Sequence, residues 1–315
     1  MKDLLVANKE KFRDPDVTAK GEARAKVALT DPKTLWFNTG TLCNIECVNC
    51  YIESSPSNDR LVYITTDEVT EYLDQIVDCG WPVREIAFTG GEPFMNPQMI
   101  GMARASLERG YDVLILTNAM RPMMRRKVQA GLKDLNETFP GKMTLRISVD
   151  HFDADLHDTE RGAGAFDKTV EGMIWMRDAG IPMAVAGRSA MGDSDAASRA
   201  GYAAFFDTYG FDIDAGDPAQ CVLFPEMDTS VEVPEITTEC WGILGKSPDA
   251  LMCSSSRMVV KRKGAARPAV LACTLLPYDA AFEMGETLAE AQGEVALNHP
   301  HCAKFCVLGG ASCSA

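Results

Sequence analysis

The chain has 315 residues, with 31 Lys+Arg against 45 Asp+Glu and a formal net charge of −14. That balance argues against a partner that binds through a phosphate backbone, so no nucleic acid is expected, although Arg257 to Arg267 is locally basic. A content of 46% hydrophobic and 24% charged residues excludes wholesale disorder. No run of about 18 apolar residues occurs, so no membrane span is expected. The N-terminal MKDLLVANKEKFRDPD lacks the apolar core of a secretory signal, so a cytoplasmic protein is expected.

Residues 1–33 are charged and mixed in sign, and read as a solvated helical lead-in. Leu35, Trp36 and Phe37 predict a short buried strand. A helix is predicted from Thr65, which has capping-box spacing to Glu68. Val69, Tyr72, Leu73, Ile76 and Val77 then mark one apolar face, and Gly80 a stop. Glu85–Thr89 reads as the next strand, with Gly90-Gly91-Glu92-Pro93 as its exit loop. Asn96-Pro97 reads as an N-cap followed by Pro at the first helical position. The alternation continues through a strand at Val113–Thr117, a basic helix over Pro122–Leu135 and a strand at Leu145–Val149. A helix at Phe166–Ala179, a strand at Met183–Ala186 and a helix from Ser194 to Tyr209 follow. Phe211–Ile213 is the candidate for the last strand.

Six strand–helix alternations point to parallel strands with right-handed crossovers, fewer than the eight of a full barrel. The expected fold is α/β, a partial (β/α)6 TIM-like barrel over residues 34–215. Chemistry then belongs at the C-terminal strand ends. After residue 216 helical periodicity weakens, Pro recurs and cysteines accumulate, so residues 216–315 read as a smaller cysteine-rich domain. Within it, Arg257–Arg262 and Ala269–Leu271 predict a hairpin flanked by Cys253 and Cys273.

The 11 cysteines are the main chemical signal, since only 4 histidines accompany them. In a reducing cytosol, thiols at close spacing are more often metal ligands or catalytic groups than disulfides. Cys43, Cys47 and Cys50 form Cys-x3-Cys-x2-Cys on the loop after the first barrel strand. Three thiolates suit three corners of a [4Fe–4S] cubane and leave one iron open. A zinc knuckle or three core thiols are the alternatives, though structural zinc usually takes four closed ligands.

Here the sequence resembles the radical S-adenosylmethionine (radical SAM) superfamily. Its cysteine signature matches Cys43, Cys47 and Cys50, and its Gly-Gly-Glu-Pro loop matches Thr89, Gly90, Gly91, Glu92 and Pro93. The resemblance implies that the open iron binds the methionine moiety of S-adenosylmethionine. The loop would then accept bonds from its ammonium group, with two glycines permitting close backbone approach. Ser148 and Asp150 resemble the ribose-binding strand end. Arg161 resembles the arginine that pairs with the methionine carboxylate. Asn118 resembles another polar strand end facing the cofactor, and Gly187 the backbone edge beside the adenine. One position departs: many members carry an aromatic residue just before the third cysteine, and here that residue is Asn49. Tyr51 or Ile52 is the expected substitute.

The resemblance also implies a C-terminal auxiliary cluster of Twitch or SPASM type. The SPASM spacing is absent, so one auxiliary [4Fe–4S] cluster is expected, drawn from Cys253, Cys273, Cys302, Cys306 and Cys313. Cys221 and Cys240 are either further ligands, a catalytic thiol or buried core thiols. Cys79, ending an amphipathic helix, reads as structural. His299 and His301 read as donors beside the cluster, substrate contacts or a surface turn. The implied activity is reductive cleavage of S-adenosylmethionine to a 5′-deoxyadenosyl radical that removes a hydrogen atom from substrate. The electron would come from a reductase such as flavodoxin or ferredoxin. A small-molecule substrate is preferred over a ribosomal peptide, because about 33 residues before the barrel are too few for a fused leader-binding domain. A non-enzymatic metal-binding module is the reading of another class.

Overall fold

The structure is a computed structural model that describes residues 11–189, 194–225 and 232–310. Its main sheet starts with β2 (Thr34–Asn38), after a two-residue strand β1 (Lys26–Val27). Then follow α1 (Thr66–Cys79), β3 (Glu85–Thr89), α2 (Met99–Glu108), β4 (Asp112–Thr117), α3 (Arg126–Thr138) and β5 (Met143–Ser148). The series continues with α4 (Ala154–Arg161), α5 (Ala165–Asp178), β6 (Met183–Arg188), α6 (Asp195–Tyr209) and β7 (Cys221–Phe224). Strands β2 to β7 are parallel neighbours in chain order, the arrangement of a partial (β/α)6 barrel.

Period-two patterning sets the two faces of each strand. Leu35, Phe37, Ile86, Phe88, Leu145 and Ile147 pack in the main core with the helices. Trp36, Ala87 and Leu114 form a separate cluster on the opposite, interior face. The strands are therefore apolar on both faces, as parallel strands covered by helices must be. Helix α1 begins with the expected capping box between Thr65 and Glu68 and ends on Gly80 at φ 64°.

Several expectations need correction. Residues 11–33 contain no helix, and Arg24, Ala25 and Val27 are buried rather than solvated. Strand β1 pairs with β10 (Val295–Ala296), a long-range contact that local charge patterning does not encode. Helix α2 starts at Met99, because Asn96 uses its side chain in a turn, accepting from Gln98 N at 2.9 Å. Phe211–Ile213 is not a strand; Phe211 and Ile213 plug the core, and the sixth barrel strand is β7. Helix α4 was not expected at all.

The predicted hairpin exists as β8 (Ser256–Val260) and β9 (Ala269–Leu271), but β8 also pairs in parallel with β2. The sheet thus reads β7-β6-β5-β4-β3-β2-β8-β9 and continues past residue 215 on both edges. The basic run on this hairpin is not a free patch. Lys261 pairs with Glu68, Arg262 with Glu283, Lys263 with Asp59 and Arg267 with Glu71, while Arg257 is buried. The remaining C-terminal chain includes α7 (Cys240–Leu244) and a π-helix over Cys302–Leu308. It builds its own apolar cluster with Ala25, Val27, Ile236, Leu251, Leu297 and Phe305. Among the described residues no helix is long and apolar enough to cross a membrane.

Candidate active site

A cavity opens at the C-terminal ends of the barrel strands, where chain-order logic places it. Cys43, Cys47, Cys50 and Tyr51 line it from the loop after β2, with Thr89, Gly90 and Gly91 from the β3 exit. Asn118, Ser148, Asp150, Arg161 and Gly187 line it from the following strand ends and α4. Residues scattered over 145 positions of sequence therefore converge on one void. Including its open mouth the void holds about 1250 Å³.

Two expected site residues, Glu92 and Pro93, stand behind this lining rather than on it. The Glu92 carboxylate accepts from Thr117 Oγ1 at 2.9 Å, from Asn118 N at 2.9 Å and from Phe94 N at 3.1 Å. Burial pushes its pKa up to about 7, against the pull of these donors. Its acceptors face the protein, so it shapes the Thr117–Asn118 strand end. The glycines also answer to the protein. A Cβ on Gly91 would meet Leu42 O at 2.3 Å, and one on Gly90, at φ +145°, would meet Gly40 O at 2.6 Å. Gly91 N donates to Gly40 O at 2.8 Å and Glu92 N to Leu42 O at 3.2 Å. The Gly-Gly-Glu-Pro loop is thus a strap laid against the backbone that leads into the cysteines.

Asp150 and Arg161, expected at the ribose and at the methionine carboxylate of one ligand, form one bidentate ion pair at 2.8 and 3.1 Å. Burial works against the Asp150 charge, yet Arg161 and then Arg188 hold its pKa below the ordinary carboxylate value. Arg188, which the sequence reading missed, reaches Asp150 at 3.3 Å and donates to Asn49 O at 2.9 Å. Its signal was available: Ala184, Ala186 and Arg188 share strand parity, so Arg188 ends β6 on the interior face. Asn49 itself bonds Glu160 at 2.9 Å, and Val48 N donates to Glu160 O at 2.9 Å. The departure from an aromatic residue there serves to tie the cysteine loop to α4. Tyr51 and Ile52 both reach the cavity.

The three thiols differ in setting. Cys43 is 5% exposed, and burial pushes its thiol up to about 12. Cys47 is half-buried, and burial raises its pKa as well. Cys50 Sγ accepts from Ser54 N at 3.3 Å.

Comparison with known proteins decides the family. The model of the Radical SAM superfamily matches residues 37–193. The chain belongs to this superfamily.

Among curated relatives, the AdoMet-dependent heme synthase of Methanosarcina barkeri is 29% identical over 50% of this chain and 43% of its own length. The subtilosin biosynthesis protein AlbA of Bacillus subtilis is 32% identical over 46% of this chain and 30% of its own. The matches thus span less than half of either relative. Streptococcus suis SuiB, in a structure with its precursor peptide SuiA, superposes at TM-score 0.61 and 13% identity over 84% of this chain and 66% of that one. The anSMEcpe structure with bound AdoMet gives TM-score 0.55 and 16% identity, over 82% of this chain and 77% of that one. These two likenesses concern the fold.

Membership implies a [4Fe–4S] cluster and S-adenosylmethionine, and the radical SAM cavity has the donors for both. Three thiols on one loop share a void with the hydroxyl of Ser148, the carboxylate of Asp150 and the guanidinium of Arg161. A second, small apolar cavity lies in the C-terminal region. Cys253, Cys273, Cys302 and Cys306 line it with Leu251, Met252, Phe282, Val295 and Leu297. Burial pushes the Cys253 thiol up to about 11 and the Cys302 thiol up to about 12. Cys313 lies outside the described residues. Among the described residues no three Cys, His, Asp or Glu side chains converge to hold a single ion. A cubane is larger than an ion and suits thiols spread around a void.

Cys221, Cys240 and Cys79 line neither cavity. Cys221 is buried in the main core, Cys79 packs against it, and Cys240 Sγ bonds Thr237 at 3.4 Å. His299 and His301 lie just before Cys302 with ring centroids 4.8 Å apart and planes tilted by 51°. The sequence reading also missed the apolar wall of the radical SAM cavity: Trp36, Leu116, Phe224, Leu275 and Phe305. Thr274 and Leu275 directly follow Cys273, and Phe305 directly precedes Cys306. The linings of the two cavities are thus neighbours in sequence at these two places.

Proposed function

We propose that this chain is a radical SAM enzyme that abstracts a hydrogen atom from a substrate held against the apolar wall, with an auxiliary [4Fe–4S] cluster assisting. The observation that carries this reading is the convergence of Cys43, Cys47, Cys50, Ser148, Asp150 and Arg161 on one void, whose lining residues Thr274 and Phe305 are sequence neighbours of Cys273 and Cys306 in a second, cysteine-lined void. When bound, the site cluster and S-adenosylmethionine supply a 5′-deoxyadenosyl radical after one-electron reduction. The chain's own residues do the rest. The hydroxyl of Ser148 and the Asp150–Arg161 pair orient the cofactor's polar groups. Glu92 holds the Asn118 strand end in place. Trp36, Phe224, Leu275 and Phe305 exclude water from the reacting carbon. Cys253, Cys273, Cys302 and Cys306 hold the auxiliary cluster with four thiolates, which suits electron transfer better than substrate ligation.

The preferred substrate is a small molecule, in keeping with the relative named a heme synthase. A peptide is the second reading, favoured by the AlbA relative and by the open mouth of the cavity. A flavodoxin or ferredoxin as electron donor and a cytoplasmic setting complete the proposal. The test is anaerobic reconstitution followed by dithionite and S-adenosylmethionine. 5′-Deoxyadenosine should form with the wild-type chain and vanish with Cys47→Ala. Its absence from a fully iron-loaded wild type would leave a metal-binding module as the better reading. Deuterium transfer into 5′-deoxyadenosine from labelled small molecules or from peptides then separates the two substrate classes.

A further inference from the structure

Arg257, on β8, is 1% exposed. Its Nε donates to Ala291 O at 2.9 Å, and one terminal nitrogen to Cys253 O at 2.7 Å and Ser256 O at 2.9 Å. The other terminal nitrogen donates to Gly293 O at 3.0 Å. Every acceptor is a carbonyl, and among the described residues no carboxylate forms an ion pair with it. The buried Arg24 is different, meeting Glu235 at 2.6 Å, as is Arg161 with Asp150. Burying a guanidinium without a counter-ion is strongly unfavourable, because carbonyl dipoles replace only part of its hydration. The 2.7 Å bond to the Cys253 carbonyl fixes the guanidinium against a residue that lines the small apolar cavity with three other cysteines.

We propose that Arg257 is the counter-cation of that cavity, offsetting the negative charge of a four-thiolate iron–sulfur cluster and raising its reduction potential. The inference rests on the auxiliary-cluster reading above. It supplies the anion that the isolated guanidinium lacks. The added electron of the reduced state is stabilised more than the oxidised state by a fixed nearby cation, so the potential rises. Arg257 acts here as a positioning and electrostatic residue that touches the cluster only through Cys253.

The test uses the full chain carrying Cys43/Cys47/Cys50→Ala, reconstituted anaerobically with iron and sulfide so that C-terminal signals stand alone. Roughly four irons per chain with Arg257 intact support the underlying cluster; none sinks that reading irrespective of Arg257. A potentiometric titration followed by EPR then compares Arg257→Lys, Arg257→Gln and Arg257→Met. The neutral variants should show at least a tenfold lower reduced-to-oxidised ratio at fixed potential, about 59 mV for one electron. Arg257→Lys should stay near the parent. Loss of iron in both neutral variants but not in Arg257→Lys also supports a charge role. An unchanged midpoint in either iron-loaded neutral variant, or equal loss of iron in all three, overturns the proposal in favour of a purely structural staple.

Discussion

Asp150 and Arg161 are locked in a two-bond ion pair whose side chains are only 5% and 12% exposed. Removing one partner strands a buried charge. Arg161→Ala is expected to cost about 3 kcal/mol in urea unfolding, near the lower end for broken buried pairs because Arg188 remains beside Asp150. Asp150→Asn added to Arg161→Ala should recover part of that loss. Equilibrium dialysis should show weakened S-adenosylmethionine binding in both.

Gly91→Ala tests the strap. The new methyl would press on Leu42 O at 2.3 Å, a backbone atom one residue before Cys43. The cysteine loop must shift, so iron bound at the radical SAM site should fall by half or more while the C-terminal site keeps its iron. Iron analysis after reconstitution reads both.

Glu92→Ala would leave the Thr117 hydroxyl and two backbone amides without their acceptor. An expected loss of about 2 kcal/mol follows from one to two unsatisfied buried groups, the remainder being rehydrated. Glu92→Gln should cost less. Because burial raises the Glu92 pKa to about 7, wild-type stability should fall as pH rises from about 4.5 through 7. Glu92→Gln should flatten that slope in denaturant titrations.

His157 gives the opposite slope. It is fully buried against Phe166, neither ring nitrogen has a hydrogen-bond partner among the described residues, and burial lowers its pKa to about 4. The unfolded chain takes up a proton near the ordinary value of about 6.5, whereas the folded chain resists until about 4. Stability is therefore full above about pH 6.5 and lost as pH falls toward 4. His157→Leu should remove that loss, read as a flatter unfolding midpoint between pH 4 and 6.5.

Iron counting separates the two cavities. Reconstituted wild type should hold roughly eight irons, and Cys43/Cys47/Cys50→Ala roughly four. Cys302→Ala should also lower the count toward four. Cys221→Ala and Cys240→Ala should leave it near eight, because neither thiol lines a cavity.

The sequence by itself determined the parts whose information is local. The capping box at Thr65–Glu68, the apolar β runs and the Cys-x3-Cys-x2-Cys window are short-range patterns, and they led to the strand ends that line the radical SAM cavity. Tertiary structure alone decided the features made by distant segments. No local pattern says that β8 pairs with β2, that Val27 pairs with Val295, or that β7 rather than Phe211–Ile213 closes the series. Those choices come from burying apolar faces contributed by remote parts of the chain. The glycines and Glu92 show the same divide at the site. Their identity was legible as a ligand loop, but their Cβ clearances and acceptor geometry are set by the cysteine loop packed against them. The gathering of Cys253, Cys273, Cys302 and Cys306 around one void, with Arg257 beside it, is likewise a product of packing: spacing counts residues along the chain, and only the fold brings them together in space.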